Sequence, residues 1–392
     1  MKILLKKVPS ISTTFQISFN TGSIDEAEGQ KGFSHLVEHL LFEGTEKRKN
    51  AKIIASEIEN LGGEFNAATS NERTYYYIKI LGKHYDTALD ILSDMVRNST
   101  FEYFEKEKNV VLEEIKMLND NPRFYQWIVF EKILFEGTAY AIPVYGYEKD
   151  LEQASKEDLL AYYKKHYVSD NATLTVVGNF DEEAVSEAIT QYFGDWKGSV
   201  EHVQQKHPQN QTKVAEEHKD IQQVYITKGI ICPKITHPDA PVFEVIDAIL
   251  GKPQSGLLVD EIRNKRGLAY DVSTSFENFK EFSFFVINAG TDIKQKDAVE
   301  KMMLEIVQSL ETIDGVEVQN AISHIEGKEL LELEDTHNYA ENITFWHMVA
   351  GEDLSQMYLE NIKKVTKEDV IRVAQTYFKD IVTTRIIPKE KN

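Results

Sequence analysis

The sequence is poor in cysteine and in long apolar runs, and both absences limit what the protein can be. Its 392 residues include one cysteine, Cys232 in the run "KGIICPKI", so an internal disulfide is excluded and a reducing compartment is favoured. No apolar stretch reaches the roughly 20 residues that a membrane-spanning helix needs. The apolar part of "MKILLKKVPS" is too short for a secretory signal. We therefore expect a cytoplasmic protein without a membrane segment.

Positive charge is also scarce in the chain. Lysine and arginine number 44 against 64 aspartate and glutamate residues, which gives a formal net charge of -20. A phosphate backbone requires a basic protein surface, so nucleic acid is excluded as the main partner. An acidic binding chamber would favour basic peptides. Because the acidic residues are spread along the chain, solubility alone is the favoured explanation for the charge.

Three polar residues occupy an otherwise apolar helix near the start of the chain. In "GFSHLVEHLLFEGT", residues 32–45, the spacing of His35, Glu38 and His39 places all three on one helical face. The other sides carry an apolar stripe of Phe33, Leu36, Val37, Leu40 and Leu41. Hydrogen bonds, an ion pair or a metal could stabilise such a buried trio. Two histidines one turn apart favour zinc, and the glutamate can take a proton from water.

A third metal ligand is expected from "EYFEKEKNVVLEEIKMLND", residues 102–120. Helical spacing extends its apolar stripe through Glu107 and Glu114, whereas Glu113 falls on the opposite, solvated side. The stripe consists of Val110, Val111, Ile115 and Leu118. Glu107 and Glu114 lie about 10 Å apart along a helix axis, so one would bind the metal and the other would support a ligand. Either could instead form an ion pair with a lysine on the helix face.

These motifs resemble those of the M16 (pitrilysin-type) metallopeptidases, in particular their short branch of bacterial and mitochondrial processing peptidases. The H-x-x-E-H pattern and the later "EKNVVLEEI" carry the resemblance, and "GGEFNAATSNERTYYY" and "EIRNKRGLAYDVS" extend it over nearly the whole chain. The resemblance implies that His35, His39 and Glu114 bind one zinc ion per chain. It also implies that Glu38 is the base that activates water, and that Glu107 supports one of the ligands.

An internal repeat divides the chain into two similar halves. "EIENLGGEFN" at residues 57–66 matches "EIRNKRGLAY" at 261–270, and "ASKEDLLAYYKKHY" at 154–167 matches "VTKEDVIRVAQTYF" at 365–378. The same motifs in the same order in both halves indicate a duplicated domain. The second half lacks H-x-x-E-H, so only the first can build this metal site.

The domain boundaries and fold class follow from this repeat and from the local patterns. We expect a catalytic zinc domain at residues 1–205, a polar linker at 206–219 and a homologous domain without metal at 220–392. Strand-like runs such as "RTYYYIKILG" alternate with helical runs such as "HYDTALDILSDMVRN". Several strands alternate between apolar and polar residues. The pattern predicts an α+β fold in which each domain is a mainly antiparallel sheet with helices on one face.

The second half carries a further motif whose role the family resemblance implies. Arg263 and Tyr270 resemble an arginine and tyrosine that contact the substrate near the scissile bond. A tyrosine hydroxyl there can donate to the carbonyl oxygen as negative charge develops on it. Asn66 resembles the substrate-side asparagine of the family, and the strand through Ala67 resembles the edge to which a peptide adds by backbone pairing.

The sequence therefore predicts a zinc endopeptidase that cleaves unfolded peptides or small polypeptides inside a dimeric chamber. The family closes two half-shells around its substrate, and a chain of this length supplies one, so the resemblance implies a dimer. Because this chain keeps the metal ligands, the base and the Arg and Tyr pair, a homodimer is favoured. The alternative is a non-catalytic, chamber-forming subunit of a heterodimeric peptidase.

Overall fold

The computed structural model describes residues 1–389, which contain ten strands and fourteen α-helices. The strands are β1 Lys2–Lys7, β2 Ser12–Phe19, β3 Glu64–Thr69, β4 Thr74–Leu81, β5 Ala172–Gly178, β6 Lys213–Lys219, β7 Val224–Pro233, β8 Ala269–Asn278, β9 Phe282–Thr291 and β10 Val382–Pro388. The helices are α1 Phe33–Glu43, α2 Ala51–Glu59, α3 Tyr85–Asn98, α4 Phe104–Asp120, α5 Pro122–Leu134, α6 Glu148–Gln153, α7 Lys156–His166, α8 Glu182–Phe193, α9 Ala240–Gly251, α10 Lys296–Ser309, α11 Gly315–Glu332, α12 Thr336–Ala350, α13 Ser355–Ile362 and α14 Lys367–Tyr377. None of these helices is long and apolar enough to cross a membrane.

The strands form two five-stranded sheets with the same topology. The first has the order β1-β5-β2-β4-β3 and the second the order β6-β10-β7-β9-β8. In each sheet the first two strands pair in parallel, β1 with β5 and β6 with β10, and the remaining neighbours are antiparallel. The equivalent orders reflect the internal repeat. The expected two-domain α+β fold with mainly antiparallel sheets is confirmed.

The described residues divide into two compact units, and each unit contains a segment from the other half of the sequence. The first unit comprises Met1–Met117, Ile142–Gln205 and Leu331–Met348. The second comprises Leu118–Ala141, Lys206–Leu330 and the described chain from Val349 onward. Helix α5 therefore belongs to the second unit, and α12 lies almost entirely in the first.

The segment predicted as a linker, residues 206–219, is only partly irregular. Its last seven residues form β6, the edge strand of the second sheet. The burial of β6 alternates along its length, as expected for an edge strand that packs one side against the protein. Residues 390–392 of the predicted second domain lie outside the described part of the chain.

The first sheet is covered on both faces, whereas the sequence pattern predicts helices on one face. Phe15, Ile17 and Phe19 of β2 are fully buried in the main core of the first unit. The polar residues of the central strands meet α12 instead. Its contacts there are Thr14 with Thr336 at 2.9 Å, Gln16 with Glu341 at 2.6 Å and Thr175 with Thr344 at 2.7 Å. These hydrogen bonds offset much of the cost of burying the polar face, although the side-chain oxygen of Gln16 accepts none within the described residues.

Helix α5 covers the equivalent face of the second sheet, over β7 and β10. The Thr227 hydroxyl on β7 donates to the side-chain carbonyl of Gln126 at 3.3 Å. The Phe130 ring approaches β7 so closely that a Cβ atom at Gly229 would lie 2.5 Å from it. Glycine is therefore required at this position in the strand.

Candidate metal centre

Helix α1 is held in the first unit by its buried apolar residues and by contacts at its first turn. The five apolar residues predicted to be buried, Phe33, Leu36, Val37, Leu40 and Leu41, are at most 1% exposed. Both carboxylate oxygens of Glu26 accept backbone N–H groups at the start of the helix, from Gly32 at 2.8 Å and Ser34 at 2.7 Å. Burial raises the pKa of Glu26 to about 8, and these two hydrogen bonds oppose the rise. Glu26 thus satisfies two N–H groups that have no partner within the helix.

Gly32 is the residue immediately before α1 and forms the turn that leads into the helix. Its φ of 104° lies in the left-handed region, and a Cβ atom there would lie 2.6 Å from the carbonyl oxygen of Tyr145. A side chain at this position would meet both backbone strain and a steric clash. The direction in which α1 leaves this turn decides where its histidines point.

The structure brings His35, His39 and Glu114 together, with one ligand atom from each within 4.8 Å of the other two. The Glu114 carboxylate lies 4.0 Å from Nε2 of His35 and 3.5 Å from Nε2 of His39. Two atoms that each sit about 2 Å from one zinc ion are roughly 3–4 Å apart. Two imidazole nitrogens and a carboxylate are also the donor set of many catalytic zinc sites. The three residues therefore fit Zn²⁺ in both chemistry and spacing.

Glu107 lies next to His39, one residue of the candidate metal centre. Its carboxylate is 3.4 Å from Nδ1 of His39, the ring nitrogen that faces away from Glu114, and its side chain is buried. Glu113 points away, where it pairs with Lys116 at 2.8 Å on the exposed side of α4. The contacts agree with the helical spacing, which places Glu107 and Glu114 on one face of α4 and Glu113 on the other. They also distinguish Glu114, which faces both histidines, from Glu107, which of the two histidines contacts only His39.

Val110, one member of the predicted apolar stripe on α4, is exposed and not buried. Val110 is 44% exposed, whereas Val111 and Ile115 are buried. The buried residues of the helix are Phe104, Glu107, Val111 and Ile115, which follow a narrower three- and four-residue spacing. Val110 and Glu114, one turn apart, lie at the margin of this stripe. The carboxylate of Glu114 therefore keeps partial access to solvent.

Burial shifts the pKa values of His35 and Glu38 on α1. It lowers the pKa of His35 to about 3, with a further contribution from His39, so the ring is neutral at physiological pH. A histidine must be neutral to bind a metal. Burial also raises the pKa of Glu38, although a hydrogen bond from Thr69 opposes the rise. A carboxylate with a raised pKa is a stronger base.

Strand β3 runs past Glu38 along one edge of the first sheet. Thr69, at its end, donates its hydroxyl hydrogen to the Glu38 carboxylate at 2.5 Å. Asn66 is exposed on the same strand, and its side-chain carbonyl accepts the N–H of Ala67 at 2.9 Å. The edge strand that carries Asn66 and Ala67 thus ends beside the candidate base.

Arg263 and Tyr270 form a second group in the second unit. Arg263 lies in a π-helical turn, Val259–Asn264, and its guanidinium carbon is 6.0 Å from the centre of the Tyr270 ring. Tyr270 is the second residue of β8 and is 78% exposed. The structure therefore groups the predicted residues into two sets, one around the candidate metal centre in the first unit and one at the start of β8 in the second unit.

The sequence reasoning missed Thr69 and Glu26. Thr69 lies three residues after Asn66 in the run "NAATSN", and its position on the same strand was the only available signal. Glu26 lies in the acidic run "SIDEAEG", where no pattern distinguishes it from its neighbours. Only tertiary packing selects this glutamate for the start of α1.

Two family models and several known proteins match most of the chain. Residues 2–145 match the family model described as Insulinase (Peptidase family M16), and residues 153–322 match the model described as Peptidase M16 inactive domain. An uncharacterized zinc protease of Bacillus subtilis is 30% identical over 344 residues, covering 86% of this chain and 83% of the relative. The beta subunit of the mitochondrial-processing peptidase of Dictyostelium discoideum is 25% identical over 401 residues, covering 92% and 81%.

A solved structure shares the fold along almost the whole chain. The crystal structure of a protease from Helicobacter pylori aligns with a TM-score of 0.92, covering 98% of this chain and 96% of that one. The sequence identity is 23%, so the likeness concerns the fold.

Proposed function

The chain belongs to the M16 family of peptidases, and we propose that it is a zinc-dependent endopeptidase that cleaves unfolded peptides. The observation that carries the proposal is the grouping of His35, His39 and Glu114 with a partly buried carboxylate, Glu38, on the same helix as the histidines. A peptidase of this kind needs a metal site with an open position and an adjacent base. This chain has the residues for both.

One zinc ion per chain would be held by His35, His39 and Glu114. When bound, it would polarise water and the scissile carbonyl group. The neutral state of His35 suits it to this task. Glu107 orients the His39 ring through Nδ1 and so keeps Nε2 directed toward Glu114.

Glu38 handles the proton during hydrolysis. Its carboxylate accepts a proton from the attacking water, and the resulting carboxylic acid donates that proton to the leaving amine as the peptide bond breaks. Burial favours this role because it raises the affinity of Glu38 for the proton. The hydrogen bond from Thr69 fixes the direction of the carboxylate.

The substrate binds in an extended form along β3. Backbone hydrogen bonds to an edge strand hold a peptide largely independently of its side chains, so specificity is broad. Asn66 and Ala67 lie on this strand, which ends at Thr69 beside Glu38. A folded protein cannot present such a strand, so substrates are unfolded peptides and small polypeptides.

Arg263 and Tyr270 complete the site from a second protomer of a homodimer. The Tyr270 hydroxyl donates a hydrogen bond to the substrate carbonyl oxygen as charge develops on it, and Arg263 orients a neighbouring backbone carbonyl. The exposure of both side chains supports contact with another molecule. The two protomers together enclose the peptide in a chamber.

The decisive variant is Glu38→Gln, which keeps the shape of the side chain but removes its basicity. We expect it to retain one zinc per chain and to lose about 100-fold or more in the hydrolysis of a quenched, unstructured peptide. Glu59→Gln, at an exposed position on α2, serves as the control and should match the wild type. Normal turnover by Glu38→Gln would refute the role of the base. A wild type that binds zinc but stays inactive would favour the chamber-forming subunit instead.

A further inference from the structure

A cavity lies on the sheet of the second unit, beside α5. Its volume is about 250 Å³, and its walls include Arg123 and Trp127 of α5. The lining also includes Tyr225 of β7, Asn288 and Gly290 of β9, and Asp271 of β8. All of these residues belong to the second unit, so the cavity shares no residue with the candidate metal centre.

The cavity exists because one helix is too narrow to cover all the strands on this face of the sheet. Helix α5 packs over β7 and β10. A helix is about 10–12 Å wide, and neighbouring strands are about 4.8 Å apart, so one helix covers roughly two strands. The same face of β9 and β8 therefore extends beyond the edge of α5. Tyr225, Gly290 and Asp271 form one cross-strand row on this face.

Two features of β9 at this place cost stability without an evident structural return. Gly290, the last residue but one of β9, is buried between β7 and β8; it packs no side chain against its neighbours, and a glycine of this kind often marks the close approach of a ligand. Asn288 is only 7% exposed, and its side-chain oxygen accepts no hydrogen bond within the described part of the chain. A buried acceptor without a donor is destabilising. A ligand that fills the space over Gly290 and donates to Asn288 would remove both costs.

The chemistry of the walls defines that ligand. Trp127 and Tyr225 provide aromatic surfaces. Arg123 and Asp271 lie 3.6 Å apart and neutralise each other, so a charged ligand gains little from either one. A cavity of about 150 Å³ already admits a benzene ring, so this one has room for an aromatic side chain. We propose that the cavity binds an aromatic side chain that carries a hydrogen-bond donor, tyrosine or tryptophan, from an extended peptide.

The position of the cavity explains why its occupant is a peptide side chain. β8 is the edge strand of the second sheet, and a peptide that adds to an edge places alternate side chains on each face of the sheet. Asp271 borders the cavity and directly follows Tyr270, so the cavity adjoins the part of β8 that carries the Tyr270 ring. That this peptide is the substrate rests on the proposed function; the binding itself does not.

Binding of short blocked peptides to the full chain tests the inference. The ligands are acetyl-Gly-X-Gly-amide with Trp, Tyr, Phe, Arg or Gly at X, titrated by ligand-detected NMR in excess chelator so that hydrolysis cannot interfere. We expect the Trp and Tyr peptides to bind at least about threefold more tightly than the Phe peptide, because Phe cannot donate to Asn288. The Arg and Gly peptides should bind more weakly still.

Two variants locate the binding. A Cβ atom at Gly290 would lie 3.6–3.8 Å from Asp271 and Tyr225, an ordinary contact, so Gly290→Ala should fold normally while its methyl group occupies the floor of the cavity and weakens Trp binding at least fivefold. Gly327→Ala, in open space on α11, is the matched control and should bind as the wild type does. Asn288→Leu should abolish the preference for Tyr and Trp over Phe.

Equal binding of all five peptides would overturn the inference. Undiminished Trp binding by Gly290→Ala would overturn it as well, since the ring must then bind elsewhere. Because the assay is run without metal, an inactive or zinc-free protein leaves these results unchanged, and failure of the proposed function is distinguished from failure of this site.

Discussion

The two ring nitrogens of His39 face different carboxylates. Nε2 faces the Glu114 carboxylate, and Nδ1 faces Glu107 at 3.4 Å. A carboxylate at Nδ1 keeps the proton on that nitrogen and leaves the Nε2 lone pair free for a metal. The proposed zinc affinity therefore depends on a residue that does not bind the ion.

This dependence predicts the effect of Glu107→Gln. The amide retains the size of the side chain but is a weaker acceptor for the Nδ1 proton, so zinc affinity should fall about 10- to 100-fold. Competition with a fluorescent zinc chelator measures the affinity directly. Glu113→Gln, on the exposed face of α4, is the control and should have no effect. Equal affinities for the two variants would contradict the assigned role of Glu107.

At the scale of the element, α1 depends on the loop that precedes it. The buried Glu26 accepts two backbone N–H groups at the start of the helix, and Gly32 supplies the left-handed turn before it. Neither contact involves the residues that carry the motif. The histidines are therefore positioned by a segment outside H-x-x-E-H.

Removing the Glu26 carboxylate should destabilise the first unit. Glu26→Ala leaves two N–H groups of α1 without partners, at an expected cost of about 1–3 kcal/mol in the free energy of unfolding. Urea unfolding followed by far-UV circular dichroism measures this change. Glu28→Ala, at an exposed position in the same loop, should stay within about 0.5 kcal/mol of the wild type. A Glu26 variant as stable as this control would show that the N–H groups find other partners.

Local patterns predicted individual elements better than their packing. Helical spacing of apolar residues predicted α1 and α4, and alternation predicted β4, all of which the structure confirms. The same patterns did not predict that α12 covers the first sheet and α5 the second. Those helices bury polar side chains through hydrogen bonds to residues distant in the sequence, such as Thr344 to Thr175, and a hydrophobic pattern cannot reveal such pairs.

At the scale of the whole molecule, the two halves share a sheet topology but differ in chemistry. Within the described residues, the only group of histidine and acidic side chains close enough to hold a metal lies in the first unit. The second unit carries Arg263 and Tyr270 at the start of its edge strand β8. In the proposed homodimer, each site combines the metal centre of one protomer with this pair from its partner.

A mixing experiment tests this shared site. Glu38→Gln and Tyr270→Phe chains should each be impaired alone, because each lacks one part of every site. After exchange of protomers, half of the dimers are mixed, and one of the two sites in each mixed dimer is intact, so about a quarter of wild-type activity should return. Activity equal to the average of the two separate variants would contradict a site built across the dimer.

The central claim is that His35, His39 and Glu114 hold one zinc ion on which peptide hydrolysis depends. The most direct measurement removes the metal with a chelator, dialyses the chelator away and follows cleavage of a quenched, unstructured peptide as zinc is added back. We predict that the metal-free chain is inactive and that activity rises linearly to a plateau at one zinc per chain. Full activity of the metal-free chain, or no recovery at any zinc concentration while the protein remains folded, would contradict the claim.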